Sequence, residues 1–330
     1  MGGALGSLMK LAVEVQARPI EDETRARIAM VRPILRATLF ALSLQRVERL
    51  GGYPSVTLHD LAREWREGDG DCGICFEYAI HDAIERRDPL LSPRIGEVLE
   101  RHCRIKGQAR SILFGAEKGA RLELLESDRS LLTPESRLVV NERGRPLKLK
   151  THIERVRRAF SAPEERELLP RSIRGLWRAD LFVGAPAEDR WVATTLKINP
   201  AHLEGAPGIR IGIYPERRRD ESPSFDADKN LVLCPVPYDG GFMDLFYSSF
   251  FLVKTFLTSD ARLPRPVELP LSIDRGVARL LEDRRAFPVL DVLEALEKMA
   301  QPGLLLSSSA GDPYGDSVTS AVAPIARPRS

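Results

Sequence analysis

The chain has 330 residues, enough for one large domain or two ordinary ones. Hydrophobic residues make up 43% and charged residues 29%, as in a soluble globular protein, and no apolar run reaches the length of a bilayer span. A membrane partner is therefore not expected, and the start of the chain lacks a basic leader, so the expected compartment is the cytoplasm. The net charge of +2 is unevenly spread: residues 143–178 hold eleven Lys or Arg against four Glu, or +7, leaving −5 elsewhere.

Apolar periodicity predicts a long helix from Glu21 to Leu50, stopped by Gly51 and Gly52. A second helix starts near Thr57. The stretch ICFEYAIHDAIERR forms about four turns of helix with Phe76, Ile80, Ala83 and Ile84 as its apolar stripe; Glu77 and His81, four apart, share one face. Ile95 to Leu125 reads as helix, Leu131 to Lys150 as one or two short strands, and LKTHIERVRRAF as a basic helix. Strands follow at GIRIGIYPE and NLVLCPVP, separated by a charged loop. FMDLFYSSFFLVKTFL is apolar nearly all round and reads as a core helix. Pro-punctuated loops then lead to a final helix from Pro288 to Met299. Residues 303–330, rich in Ser, Gly, Ala and Pro, read as a disordered tail.

Four cysteines in this length do not make a disulfide framework. Cys72 and Cys75 form a single CxxC, and with no second CxxC the expectation is reduced thiols rather than zinc.

The most informative stretch is Trp177 to Asn199, WRADLFVGAPAEDRWVATTLKIN. Two β-rich runs flank a connector with Gly184, Pro186 and Asp189, the pattern of neighbouring antiparallel strands. In the second run Val192, Thr194, Leu196 and Ile198 point one way, and Ala193, Thr195, Lys197 and Asn199 the other. Asp180 stands amid apolar residues on the first run. Burying an unpaired carboxylate or ammonium is costly, so Asp180 and Lys197 are expected to be partners, ligands, or both.

The order of these pieces resembles the PD-(D/E)XK nuclease superfamily, the restriction-endonuclease-like fold. The residues that carry the resemblance are Glu77 in FEYAIHDAI, Asp180 in ADLFVG, and Thr195-Leu196-Lys197. It implies an α/β (α+β) fold, with a central mixed β-sheet flanked by helices. The core would span residues 73–300, with a helical, basic insertion at about 90–175, preceded by a helical region at 1–72. It further implies a metal-dependent nuclease acting on DNA, in restriction or defence, with Mg²⁺ or Mn²⁺ held by Asp180 and Glu77. Lys197 would orient or activate water and counter developing charge. The basic stripe, with Lys148, Lys150, Arg155, Arg157, Arg158, Arg174 and Arg178, would meet the phosphate backbone, as would Asn199.

The chain departs from the superfamily pattern at Thr195, which stands where an acid is expected and binds a metal more weakly. Either Glu77 compensates, or another acid such as Glu188, Asp189 or Glu204 takes the place, or the domain is an inactive nucleic-acid-binding or assembly subunit. Retention of Asp180 and Lys197 favours activity. Each feature also has a structural reading: an Asp180–Lys197 salt bridge, a Glu77–His81 surface pair, a solvated basic helix face. The N-terminal helices are candidates for a homodimer contact or a protein partner.

Overall fold

The structure, a computed structural model, describes residues 22–114, 131–139, 147–161, 178–206, 208–238, 241–263 and 269–300. The tail at 303–330, Arg174 and the side chains of Arg157 and Arg158 lie outside that description. The chain divides into two compact units, Gly70–Tyr247 and Met1–Asp69 with Ser248–Ser330. The expected core reaches residue 300, and the division into units falls at Ser248 within it.

The second of these units is helical. Helix α1 (Asp22–Ala41) starts with Asp22 and Glu23, acids suited to the positive end of the helix dipole, and buries Ile28, Val31, Ile34, Leu35 and Leu39. The single helix expected to Leu50 is two. Ser43 leaves the helix for an extended conformation (φ −63°, ψ 144°) and begins α2 (Leu44–Arg49). Helix α3 (Leu58–Glu64) is closed at its start by a reciprocal capping box between Thr57 and Asp60.

The sheet-bearing unit contains α4 (Cys72–Glu85), with Asp71 capping Ile74 N–H at 2.8 Å, and α5 (Ser92–Cys103). It also contains strands β1 (Arg110–Leu113), β2 (Arg137–Leu138) and β3 (Leu147–Lys148), and helix α6 (Leu149–Ser161). Then come β4 (Leu181–Ala185), β5 (Arg190–Leu196), β6 (Arg210–Pro215), β7 (Ser224–Asp226) and β8 (Leu231–Val236). Helix α7 (Phe242–Thr258) contains the division between the units.

Two helices complete the helical unit, α8 (Ser272–Glu282) and α9 (Val289–Ala300). Helix α8 was not expected, because prolines on its N-terminal side drew the segment toward loop. Its Val277, Ala278 and Leu281 form a buried stripe, and its buried Asp274 pairs with Arg27 of α1 at 3.0 Å.

Among the described residues the sheet has eight strands in the order β1-β4-β5-β6-β8-β7, with β2 pairing β3 and β5. β1, β4 and β5 are antiparallel neighbours, β5, β6 and β8 are parallel, and β7 returns antiparallel on β8. The expected α/β fold with a mixed sheet flanked by helices is the one found. The helix expected from Ile95 to Leu125 is a correction. It ends at Cys103, where Arg104 adopts the left-handed conformation (φ 54°), and four residues then form β1 instead.

Register fixes the two sheet faces. Ile112 lies opposite Phe182, and Phe182 opposite Ala193, so Ile112, Phe182, Ala193, Thr195 and Lys197 share a face by two-residue alternation. The parallel pairing of Thr195 with Gly212 places Arg210 and Tyr214 on it too. Leu149 and Ile153 of α6 pack there with Ile112, Phe182, Trp191 and Ala193. Ser111, Val183, Val192 and Thr194 face the other way. At the β4–β5 turn, an added Cβ on Gly184 would lie 2.1 Å from the Arg190 carbonyl, so this close approach requires glycine.

Candidate active site

Asp180 directly precedes β4. Its backbone N–H donates to the Thr194 carbonyl at 2.9 Å, and its carbonyl accepts Phe114 N–H at 2.9 Å, so the residue is tied to strands on both sides. One carboxylate oxygen, Oδ2, collects three groups from the end of β5. The Thr195 hydroxyl donates at 3.1 Å, Leu196 N–H donates at 2.8 Å, and Lys197 Nζ lies at 3.6 Å. Asp180 and Thr195 are buried, whereas the Lys197 side chain is 38% exposed. The result is a desolvated carboxylate with a cation reaching from it toward water.

Arg210 was missed in the sequence. It pairs with Ala193 on the adjoining strand, projects from the face that carries Thr195 and Lys197, and is only 2% exposed. Burial lowers its pKa, the Asp180 carboxylate and Glu204 oppose that shift, and Arg178 adds to it. An isolated Arg in GIRIGIYPE carries no sequence signal. Only the parallel pairing of β5 with β6 reveals it.

The three acids considered as substitutes for a carboxylate at position 195 separate cleanly. Glu188 and Asp189 sit at the β4–β5 turn, about 16 Å along the five-residue strand from Asp180. They serve structure there: Glu188 accepts Lys106 N–H at 2.9 Å, and Asp189 (φ 51°) accepts the hydroxyls of Thr133 and Ser136. Glu204 is different. It accepts from Arg178 Nη1, two residues before Asp180.

Glu77 lies on α4, half-buried. Glu85 and His81 of the same helical stripe contact β1: Glu85 accepts Ser111 N–H at 2.8 Å, and His81 Nδ1 lies 2.7 Å from Ser111 Oγ. Glu77 is one turn further, about 6 Å toward the end of β1 where Phe114 meets Asp180. Helix α4 therefore packs on the Ser111 face, whereas Thr195 and Lys197 project from the opposite one. His81 is buried beside Ser111.

Of the basic residues, Lys150, Arg155 and Arg178 are exposed, and Lys148 is exposed with its Nζ 3.3 Å from Glu135. Leu149 and Ile153 of α6 are buried on the Thr195 face, so this basic helix lies on the side of the sheet from which Lys197 projects, whereas Lys148, opposite Arg137 and through it in line with Arg190, alternates to the other face. Asn199 lies beyond β5 and caps a short 3₁₀ turn (Pro200–His202), accepting Ala201 N–H at 3.0 Å. The four cysteines form no disulfide, Cys72 being half-buried and the others buried.

Among the described residues no three His, Cys, Asp or Glu side chains are grouped to hold a metal ion, and no helix is long and apolar enough to cross a membrane. No protein-family model, curated protein or solved structure matches the chain.

Proposed function

We propose that the chain is a metal-dependent nuclease acting on DNA through Asp180 and Lys197. The observation that carries this reading is the 3.6 Å approach of Lys197 Nζ to Asp180, at the shared end of two central antiparallel strands. Helix α4 running against β1, and three antiparallel strands followed by a parallel one, agree with the element order of PD-(D/E)XK nucleases. The carboxylate that would hold Mg²⁺ or Mn²⁺ is Asp180, through the oxygen not taken by Thr195 and Leu196; Glu77, the second expected ligand, belongs to a helix packed on the other face of the sheet. Such a sparse set suits magnesium, which keeps waters and substrate oxygens as its remaining ligands. When bound, the ion supplies charge neutralisation at the phosphoryl oxygens.

The chain's own groups do the rest. Thr195 and Leu196 N–H hold the carboxylate in one orientation, while the half-exposed Lys197 sets a positive charge beside the position of the reacting phosphate. The exposed Lys148, Lys150 and Arg155 contribute long-range attraction for the backbone. Restriction or defence is the setting proposed for such an activity. The test is incubation with supercoiled plasmid and Mg²⁺ or Mn²⁺; nicking or linearisation that chelator abolishes supports the reading, and an intact plasmid opposes it.

A second reading, binding without cleavage, is favoured by Thr195 together with Arg210. One carboxylate with Lys197 and a buried arginine nearby makes the site cationic, which suits a phosphate better than a metal. It predicts salt-sensitive DNA binding and no cleavage with any metal.

A further inference from the structure

The loop between β5 and β6 crosses the candidate site, and its anchoring is specific. Leu203 is buried against Tyr214 and Leu231. A Cβ on Gly212, the strand partner of Thr195, would lie 3.1 Å from Leu203, so Leu203 rests on the strand beside Thr195. Ala206 N–H donates to the Lys229 carbonyl at 3.3 Å. Glu204 is thus held between two fixed points over the face that carries Asp180, Thr195, Lys197 and Arg210. Its side chain is 60% exposed and pairs with Arg178, itself 66% exposed. Burial leaves Arg210 beneath with a cost that the Asp180 and Glu204 charges offset. The group balances at three cations (Arg178, Lys197, Arg210) against two carboxylates; without Glu204 a single negative charge would face three positive ones.

We infer that Glu204 occupies the place of a substrate phosphate on Arg178, and that an incoming phosphodiester displaces it. This rests on the phosphate-directed reading above and gives it a built-in competitor. An exposed ion pair is weak enough to be exchanged for an oxyanion that accepts two hydrogen bonds from the same guanidinium. The displaced carboxylate moves into water. Arg178 keeps a partner in both states.

The experiment measures binding in chelator, so that cleavage plays no part. The probes are a short fluorescein-labelled DNA duplex, followed by anisotropy, and inorganic pyrophosphate, followed by calorimetry. Glu204→Gln is expected to tighten both about 3- to 10-fold and to steepen the salt dependence of duplex binding by about one unit of slope. In an Arg178→Gln background the Glu204→Gln gain is expected to vanish. Equal tightening in both backgrounds, or none in either, would overturn the exchange. So would loss of metal-dependent cleavage in Glu204→Gln matching that of Asp180→Asn, which would make Glu204 an ion ligand. Pyrophosphate binding that responds to Glu204→Gln without any duplex binding would keep the exchange and defeat the nucleic-acid reading. Duplex binding indifferent to Glu204 would do the reverse. Because both side chains are mostly exposed, folding of the variants is secure.

Discussion

Thr195 donates its hydroxyl hydrogen to Asp180 across the β4–β5 pair at 3.1 Å, at the position where the proposed nuclease pattern has a second acid. A threonine here stabilises a lone carboxylate, whereas an acid would repel it until a cation arrived. Thr195→Glu is therefore expected to lower Tm in chelator and to recover more Tm than the wild type on addition of Mg²⁺. Equal responses to Mg²⁺ in the two proteins would show that position 195 does not face an ion site.

Thr195→Val tests the donor itself. The substitution keeps the shape and removes one of the groups that satisfy buried Asp180, with a loss of about 1 kcal/mol expected in urea unfolding. A loss near zero would mean that water takes the place of the hydroxyl.

Gly184 supplies a test of the hairpin. Its absent Cβ would sit 2.1 Å from the Arg190 carbonyl and 2.9 Å from Trp191 Cα, both backbone atoms that cannot turn aside. Gly184→Ala is expected to cost about 1–3 kcal/mol or more of stability, and to lower any activity in proportion, because Asp180 leads into the same strand. A variant as stable as the parent would contradict the tight β4–β5 turn.

Thiol chemistry reports on the sheet-bearing unit. Burial pushes the Cys103 and Cys234 thiols up to about 12, so at pH 8 only about one in 10⁴ of either is thiolate. Both are expected to resist a disulfide-exchange reagent at pH 8 until the protein unfolds, while half-buried Cys72 reacts in the native state. Mass spectrometry of the labelled peptides checks the order of reaction.

Much of the hairpin was legible in the sequence because its side chains alternate with a period of two and its turn carries Gly, Pro and Asp. Asp180 and Lys197 could be paired on that basis alone. Strand β1 was not legible: RSIL is four residues long and follows Arg104, whose left-handed turn leaves no mark in a helix-favouring stretch. Helix α8 was hidden by its neighbouring prolines and by a buried Asp274 that reads as polar until Arg27 is placed beside it. Arg210 belongs to the site through the parallel β5–β6 pairing, a relationship between distant residues with no local pattern. Of the three acids singled out beside Asp180, Glu188 and Asp189 lie at the far end of the strand, and Glu204 pairs with Arg178 next to it.

The most direct test of a nuclease centred on Asp180 is metal-dependent plasmid cleavage compared across wild type, Asp180→Asn, Lys197→Met and Glu77→Gln. The account predicts cleavage by the wild type with Mg²⁺ or Mn²⁺, and a loss of about 10²-fold or more in Asp180→Asn and Lys197→Met while duplex binding persists. Cleavage that survives both substitutions would contradict it.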